Sequence, residues 1–266
     1  MHTNYVISLS SASQRREHII KEFGKHHIPF EFYDAITPSE CLNQLIQTYL
    51  PNLAHAKLSE GEKACFMSHY MLWKKCIDEN LPYIYIFEDD VLLGEDAYSF
   101  LAEDEWLKER FTSDDSFILR FETHLMPVEP DFERRKVIKK IFRNREIRLL
   151  ENFHYGTAGY IINYNAVIML YDLFREIEIN DIKPIDVLMF NDFLKSSKLN
   201  IYQLIPALCV QDTILNKDNA SLNSMISRNK MKGNRLTILE LISNLIDKPN
   251  RMKKKKLAKL TIVKFK

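Results

Sequence analysis

Three consecutive carboxylates, Glu88, Asp89 and Asp90, directly follow an apolar run at residues 83–87. Such a run is typical of a strand buried on both faces, and the carboxyl ends of such strands lie where open α/β folds bind ligands. Adjacent carboxylates repel one another and are costly to desolvate unless a cation compensates them. Their oxygen atoms suit Mg²⁺ or Mn²⁺, which bridge to substrate phosphates. The alternative interpretation is a solvated turn that caps the next helix.

A helix that precedes this strand supplies further candidates. Ser59 and Glu62 have the spacing of a capping box, which predicts that a helix begins here and runs to about residue 79. Gly61 lies in its first turn, where free backbone N–H groups attract an anion. His69 lies two turns further along, although a histidine on a helix that faces a sheet is more often a hydrogen-bonded core residue.

The elements that must position these residues alternate along the chain. Strands are predicted at 4–9, 28–33, 83–87, 117–121, 156–163 and 201–205, and helices at 14–27, 59–79, 97–110, 166–177 and 184–197. This alternation predicts an α/β fold with a mostly parallel sheet flanked by helices. The charged stretch 126–153 has no clear period, and we interpret it as a loop or an excursion over the site.

Several short blocks stand in order along the sequence. The central blocks are SEGEKACFMSH at 59–69, Trp73 and EDDVL at 88–92; YVISL, Arg15-Arg16 and FYDA precede them, and GTAGY, PID and PALCVQ follow them. Together they resemble glycosyltransferase family 25, the lipopolysaccharide and lipooligosaccharide biosynthesis enzymes, over roughly residues 3 to 212. The resemblance implies a GT-A-type, Rossmann-like fold, a UDP-sugar donor, a divalent cation (Mn²⁺ or Mg²⁺) and a lipid-linked saccharide acceptor. Galactose is the expected sugar, with glucose as the alternative.

The resemblance also implies roles for individual residues. Glu88 and Asp90 are expected to meet the metal, the diphosphate and the donor ribose, with Asp89 between them. Glu88 stands at a position where Asp is the expected residue, so it can act through a water molecule. The other residues expected to bind the donor are Leu9, Arg15, Arg16, Asp34, Ala35, Gly61, Ser68 and His69. The alternatives are an exposed helix start for the two arginines and a turn cap for Asp34.

An inverting transfer needs a general base that takes the proton of the acceptor hydroxyl. Asp186 is the candidate, because Pro184 fixes the entry to a helix whose first turn can face a cleft. A plain helix cap is the alternative. Glu122 is a rival catalytic residue at a strand end, where it could instead bind sugar hydroxyls. The pair Gln211-Asp212, which follows Pro206 at the end of another strand, is a second rival region. Asp212 is also expected to complete the metal shell with Glu88 and Asp90.

The block GTAGY at 156–160 is a candidate substrate site, although it lacks the GxGxxG pattern of a dinucleotide fingerprint. Its glycines allow close backbone approach, and Tyr160 offers a ring on which a sugar could stack. A strand that crosses tightly under a helix is equally compatible with the block. The residues expected to contact substrate are Arg120, Thr157, Ala158, Gly159, Tyr160 and Gln211.

Composition limits the classes of protein to consider. With 266 residues and 46% hydrophobic residues, the chain can bury a large core. It has no apolar stretch of about 20 residues and no secretion signal at its start, so we expect a cytoplasmic protein. Its four cysteines have no CxxC spacing, which argues against a disulfide framework or a zinc site.

Basic charge is concentrated in the last part of the chain. We predict a catalytic domain at 1–227 and a basic amphipathic tail at 228–266, which has 13 Lys and Arg residues against Glu240 and Asp247. Four apolar residues would line one face of a tail helix, and Lys253–Lys256 follow; the four are Leu236, Leu239, Ile242 and Ile246. Such a segment can dock on the anionic inner-membrane surface. A solubilising helix and a nucleic-acid patch are the alternatives, and the acidic body argues against a nucleic-acid substrate.

Two other classes of function share these features. A catalytically silent nucleotide-sugar or glycan-binding protein would bind UDP without transfer, and a metal-dependent hydrolase would act on a phosphorylated substrate. Only a transferase links the sugar to an acceptor.

Overall fold

The computed structural model describes residues 2–127, 137–196, 199–216, 221–222 and 262–266. Within these residues the strands are β1 (Asn4–Ser8), β2 (Glu31–Asp34), β3 (Tyr83–Glu88), β4 (Val91–Leu93), β5 (Phe117–Arg120), β6 (Val137–Phe142), β7 (Arg145–Leu149), β8 (Gly159–Asn163), β9 (Asn200–Ile205) and β10 (Cys209–Gln211). The α-helices are α1 (Ser13–Lys25), α2 (Glu40–Tyr49), α3 (Glu60–Asp78), α4 (Ala97–Leu101), α5 (Glu105–Lys108), α6 (Tyr164–Glu176), α7 (Ile185–Phe190) and α8 (Asp212–Leu215). Short 3₁₀ turns lie at Pro51–His55, Ile179–Asp181 and Asp192–Lys195.

Eight of these strands form one central sheet in the order β2-β1-β3-β8-β5-β9-β7-β6, and β4 and β10 form a separate two-stranded ladder. Strands β2, β1, β3, β5 and β9 point in one direction, whereas β8 and β7 run against their neighbours. The predicted α/β class is therefore confirmed, but the sheet is mixed. Strand β8 begins at the edge where β3 and β5 end, so it runs between them in the opposite direction.

The central strand β3 shows why both faces of the sheet are covered. Ile84 and Ile86 pack on the side of α3 and α6, whereas Tyr85 and Phe87 pack on the side of α1 and α4. Successive strand residues point to opposite faces, and an apolar run with no polar alternation leaves no face for solvent. The sheet therefore lies between two hydrophobic layers.

The predicted capping box at the start of α3 is present. Ser59 Oγ accepts the N–H of Glu62, and Glu62 accepts the N–H of Ser59 at 2.8 Å. These reciprocal bonds satisfy two of the backbone groups that a helix start leaves without partners. They fix where α3 begins and therefore which of its residues reach the sheet.

Three segments differ from the predictions. The helix predicted at 184–197 is divided into α7 (Ile185–Phe190) and the 3₁₀ turn Asp192–Lys195. The predicted helix at 97–110 is divided into α4 and α5, which a short break separates. The stretch 126–153, interpreted as a loop, contains the hairpin β6-β7. Arg143 and Asn144 form its two-residue turn with φ values of 47° and 57°, which suits the twist of a hairpin. The signal was missed because charged residues on an edge strand obscure the alternation.

The end of the chain packs on the body. Residues 262–266 form bridges from Ile262 to Pro127 and from Phe265 to Ala207, and Val263 is completely buried. The rest of the predicted tail, including its amphipathic face, lies outside the described residues, so the domain division remains a prediction. No helix in the described part of the chain is long and apolar enough to cross a membrane.

Candidate active site

The candidate site lies at one edge of the central sheet. Strands β1, β2, β3, β5 and β9 end at this edge, and the antiparallel β8 begins there. It therefore collects several predicted residues that are distant in sequence: Leu9, Asp34, Glu88, Arg120, Glu122 and Thr157. The carboxyl edge is where open α/β folds bind ligands.

Glu88 is held by neighbours on three elements. Its Oε1 accepts the hydroxyl of Thr157 at 2.8 Å and lies 3.5 Å from Nε2 of His69, and its Oε2 accepts Nε2–H of Gln211 at 3.3 Å. Burial raises the pKa of Glu88, but the contacts with His69 and Thr157 and the charge of Arg15 outweigh that effect and lower it. The Glu88 carboxylate is therefore ionised and fixed in orientation.

A buried chain of polar groups stands behind Glu88. The indole N–H of Trp73 donates to the hydroxyl of Tyr160 at 3.0 Å, and that hydroxyl lies 2.9 Å from Nδ1 of His69. We assign the Tyr160 proton to a bond with Nδ1, which leaves the imidazole proton on Nε2, facing Glu88. His69 thus contributes to the site by contacting Glu88.

Asp89 and Asp90 face a different element. Arg15, near the start of α1, pairs with Asp89 and places its Nη2 3.3 Å from Oδ2 of Asp90. Burial opposes the guanidinium charge, yet the two carboxylates raise the pKa of Arg15. Arg15 is therefore a permanent cation between the acids, and the expectation of an exposed helix start does not describe it.

The negative charge of Asp90 is only partly compensated by Arg15. Burial, together with the charges of Glu88, Asp89 and Glu122, raises its pKa to about 7 despite the attraction of Arg15. Its Oδ1 atom is buried and has no hydrogen-bond partner among the described residues. Hard oxygen atoms of this kind fit Mg²⁺ or Mn²⁺, and a cation there would satisfy the orphan oxygen. Asp90 is the residue of the acidic group that fits a metal best.

Asp212 lies beside Asp90, but through its backbone. Its N–H donates to the carbonyl oxygen of Asp90 at 2.9 Å, next to the pairing of β10 with β4. Its carboxylate accepts bonds from Asn216, Ser221 and Leu222. Burial raises the pKa of Asp212, but these bonds outweigh it and lower the pKa. Both carboxylate oxygens are thus engaged within the chain, and its predicted role as a metal ligand remains a prediction.

The predicted nucleotide end is assembled around Arg16. Its guanidinium donates to the carbonyl oxygens of Leu9 and Ser8, each at 3.1 Å, and pairs with Asp34. Ala35 follows Asp34 and donates its N–H to the Ser8 carbonyl at 2.9 Å. The structure therefore brings Leu9, Arg16, Asp34 and Ala35 together at the ends of β1 and β2.

Two predicted residues of α3 have different places. The Ser68 hydroxyl accepts the N–H of Ile36 at 2.9 Å and so holds the chain just after Ala35. Gly61 lies eight residues before His69, which corresponds to about 12 Å along the helix axis. Gly61 therefore lies about two turns of α3 away from His69, and its predicted role in donor binding remains a prediction.

Glu122 follows β5 and is completely buried. Its Oε2 accepts the N–H of Ala158 at 2.8 Å. The carbonyl oxygen of Ala158 in turn accepts the N–H of Glu88 at 3.1 Å. Arg120, also completely buried, lies 3.8 Å from Glu122 and donates to Gln203 at 3.0 Å. Burial lowers the pKa of Arg120. The single residue Ala158 thus connects Glu122 with the acidic tripeptide.

Gly156 brings the predicted base into this group. Its N–H donates to Oδ2 of Asp186 at 3.1 Å, while Oδ1 of Asp186 accepts the N–H of Val187 at 3.0 Å. Gly156 has a φ of 90°, and a Cβ there would lie 2.4 Å from Oε1 of Glu122. Only glycine suits both the conformation and the space. Asp186 faces the site, although both of its oxygens already accept backbone N–H groups.

The expectation of a sugar stacking on Tyr160 is wrong. Tyr160 is completely buried beneath α3, and Ala158 is completely buried on the opposite face of the sheet. A Cβ on Gly159 would lie 2.4 Å from Sγ of Cys209. The tight-crossing interpretation of this block describes it better. Tyr155, which the sequence analysis missed, is the exposed ring, with 42% of its surface accessible. Its position just before GTAGY was the available signal.

Cys65, His69 and Glu88 also place potential ligand atoms within 4.8 Å of one another. The chain Trp73–Tyr160–His69–Glu88 accounts for the histidine and the carboxylate without a metal at this place. All four cysteines are free thiols.

Comparison with known proteins identifies the family of the chain. The profile of glycosyltransferase family 25 (LPS biosynthesis protein) matches residues 1–189. The chain belongs to glycosyltransferase family 25. The chain is 49% identical to the lipooligosaccharide biosynthesis protein lic2B of Haemophilus influenzae, over 99% of this chain and 98% of the relative.

Two further relatives are lacto-N-neotetraose biosynthesis glycosyltransferases. LgtE of Neisseria gonorrhoeae is 45% identical over 96% of this chain and 92% of its own length. LgtB of Neisseria meningitidis serogroup B is 47% identical over 86% of this chain and 83% of its own length. The chain is therefore a glycosyltransferase, and its family implies a nucleotide-sugar donor and a saccharide acceptor.

Proposed function

We propose that this family 25 glycosyltransferase transfers galactose from UDP-galactose to a lipooligosaccharide or lipopolysaccharide core, with a divalent cation and with inversion at the anomeric carbon. The observation that carries the proposal is Asp90, a buried carboxylate with an orphan oxygen at the carboxyl edge of the sheet. The names of the relatives lic2B, LgtE and LgtB support the class of acceptor.

We assign different roles to the acidic residues at this edge of the sheet. Asp90, with Glu88 beside it, would hold Mn²⁺ or Mg²⁺, and the bound cation would neutralise charge on the leaving diphosphate. Arg15 adds a fixed positive charge next to Asp89 and Asp90. Glu88, which Thr157 and Gln211 already orient, is suited to a hydrogen bond with the donor ribose or to contact with the metal through water.

The nucleotide would bind at the ends of β1 and β2. Leu9 offers an apolar contact for the base, and Asp34 offers carboxylate oxygens for N–H or hydroxyl groups of uracil or ribose. Arg16 holds both residues through Leu9 O and the Asp34 carboxylate. The uridine would thus lie beside β1, and its diphosphate would extend towards Arg15 and Asp90.

The experiment is a transfer assay with a panel of UDP-sugars and truncated core oligosaccharides, with products identified by mass spectrometry and NMR. We expect UDP-galactose to be used and the new linkage to have the β configuration. Removal of divalent metal with EDTA should abolish transfer, and Mn²⁺ should restore it. Asp90→Ala should lower kcat/KM by about 10²-fold or more, whereas the exposed Asp114→Ala should behave like the wild type.

The outcomes separate the candidate functions. UDP binding without consumption of any donor would identify a binding protein, and release of sugar to water alone would identify a hydrolase. Use of UDP-glucose in place of UDP-galactose would keep the mechanism and change the donor. Full activity of Asp90→Ala with every donor would refute the role of the acidic group.

We also propose that the basic tail docks this enzyme on anionic membrane, where a lipid-anchored acceptor lies. The support is the density of Lys and Arg at 228–266, because each basic residue near such a surface contributes about 1 kcal/mol. Binding to vesicles that contain phosphatidylglycerol should be lost at high salt and when Lys253–Lys256 are replaced by Gln. Equal binding by the wild type to neutral vesicles would contradict the proposal.

A further inference from the structure

A histidine that the sequence analysis did not single out lies beside the site. His124 follows Glu122 by two residues, and its Nε2 is 3.1 Å from Oε1 of Glu122. Neither atom is aligned for a hydrogen bond with any described residue. The buried carboxylate and the partly exposed imidazole, whose side chain is 14% accessible, are therefore in close contact.

The pair is built into the same piece of backbone as the acidic tripeptide. A Cβ on Gly156 would lie 2.6 Å from Nε2 of His124, so the glycine makes room for both members. Glu122 bonds Ala158, whose carbonyl bonds Glu88. Ala158 therefore connects the pair with the end of β3, beside the proposed position of the donor diphosphate.

An exposed aromatic ring stands next to the pair. The rings of His124 and Tyr155 are 6.1 Å apart, and Phe153 supports Tyr155 in an edge contact at 4.2 Å. An exposed, supported ring is a suitable platform for the apolar face of a sugar. A saccharide on Tyr155 would present its hydroxyl groups towards His124.

We propose that His124 is the general base of the transfer and that Tyr155 holds the acceptor sugar. This inference rests on the proposed function. Nε2 is buried against Glu122, so Nδ1 accepts the proton of the acceptor hydroxyl. As that proton leaves, the acceptor oxygen bonds the anomeric carbon, the bond from this carbon to the diphosphate oxygen breaks, and the electron pair departs with UDP. Glu122 stabilises the resulting imidazolium, as a carboxylate does behind a catalytic histidine.

The surroundings favour His124 over its neighbours as the base. Among the described residues, Glu122 contacts His124 directly, Arg120 lies 3.8 Å from Glu122, and the charge of His124 acts on His154. Tyr155 is a further titratable neighbour, with its ring 6.1 Å from that of His124. Burial, with the charges of Arg120 and His124, lowers the pKa of His154 to about 3, which leaves it a weak base. Asp186, the base predicted from the sequence, already accepts two backbone N–H groups, one on each carboxylate oxygen.

The test compares variants in the wild-type transfer assay. His124→Gln should lower kcat by about 10²- to 10⁴-fold, with little change in the KM of the UDP-sugar and with unchanged UDP binding in the presence of Mn²⁺. Added imidazole should restore part of the activity of His124→Ala, which a purely structural role would not allow. Tyr155→Ala should raise the KM of the acceptor with a smaller effect on kcat. The exposed His55→Gln and Tyr98→Ala are matched controls.

The inference can fail while the proposed function stands. If the wild type transfers sugar and His124→Gln keeps its kcat while Asp186→Asn loses it, Asp186 is the base. Loss of UDP binding by His124→Gln, together with an absence of imidazole rescue, would assign His124 to the structure of the site. A wild type that transfers no sugar from any donor would instead refute the proposed function.

Discussion

Nδ1 of His69 lies 2.9 Å from the hydroxyl oxygen of Tyr160, and both side chains are completely buried between α3 and β8. The contact joins a helix to the strand that runs antiparallel in the middle of the sheet. On the other side of the imidazole, Nε2 of His69 lies 3.5 Å from Oε1 of Glu88. The orientation of Glu88 in the candidate site therefore depends in part on a completely buried hydroxyl group.

Tyr160→Phe tests this dependence. The change leaves the Trp73 indole N–H and Nδ1 of His69 buried without their partner, which costs about 1–3 kcal/mol in the free energy of unfolding. We expect urea denaturation to show this loss and the transfer assay to show a lower kcat. Tyr98→Phe, at an exposed tyrosine, should change neither quantity. An unchanged free energy of unfolding for Tyr160→Phe would show that the hydroxyl has no structural role.

Burial of Asp90 makes the free energy of unfolding depend on pH. Its pKa is raised from 3.8 to about 7 in the folded protein, chiefly by burial. The unfolded chain therefore loses this proton at a lower pH than the folded protein does. As the pH rises from about 4 to about 7, the free energy of unfolding falls. Above pH 7 Asp90 is ionised in the folded protein, and the full cost of burying its charge lowers the free energy of unfolding.

Asp90→Asn should remove this penalty. We expect the melting temperature of the metal-free variant to exceed that of the wild type at pH 8, with a smaller difference at pH 5, while transfer is lost. Differential scanning fluorimetry in EDTA measures both values. Asp89→Asn is the matched control, because it removes a carboxylate that Arg15 already pairs, and it should not raise the melting temperature. A lower melting temperature for Asp90→Asn at pH 8 would contradict this account.

Gly156 and Gly24 provide a matched pair of glycine substitutions. Gly156→Ala would place a methyl group 2.4 Å from Glu122 at a φ of 90°, so we expect a loss of activity of about 10²-fold and a lower melting temperature. Gly24 lies in α1, where an added Cβ would have no atom within 4 Å. Gly24→Ala should therefore stabilise the protein by about 0.5–1 kcal/mol and leave transfer unchanged. Equal activity of the two variants would exclude a role for the Gly156 backbone in the site.

The sequence predicted the framework of the site better than its contacts. The end of β3 at Glu88 and the capping box at Ser59 follow from local patterns, which short-range sterics and hydrogen bonds determine. The partner of Arg15 could not be predicted in this way, because Asp89 is 74 residues distant and only the sheet order brings the two together. Long-range pairing of this kind depends on topology.

The errors have the same physical origin. The block GTAGY suggested a sugar platform at Tyr160, but β8 is inserted between β3 and β5, and a strand with two neighbours and a helix above it is buried. The exposed ring is Tyr155, which lies before the strand begins. His124 carries no local motif, and its pairing with Glu122 follows from the close approach of Gly156.

The packing of residues 262–266 beside His124 gives the last prediction. Val263 is completely buried; its N–H donates to the Met126 carbonyl at 3.0 Å, and its own carbonyl accepts the hydroxyl of Thr123 at 2.6 Å. These bonds bracket His124 on both sides. The segment therefore fixes the backbone that carries the proposed base, although it follows that residue by more than 100 positions.

Val263→Asp should displace this segment, because an unpaired carboxylate is too costly to bury in that position. We expect the melting temperature to fall and kcat to decrease by about tenfold, with the KM of the UDP-sugar largely unchanged, since the donor residues lie on β1 and β3. Lys264→Gln changes the net charge by the same amount at an exposed side chain and serves as the control. If Val263→Asp melts and transfers like Lys264→Gln, residues 262–266 do not support the site; a fall in kcat for Val263→Asp alone would tie the end of the chain to catalysis at its centre.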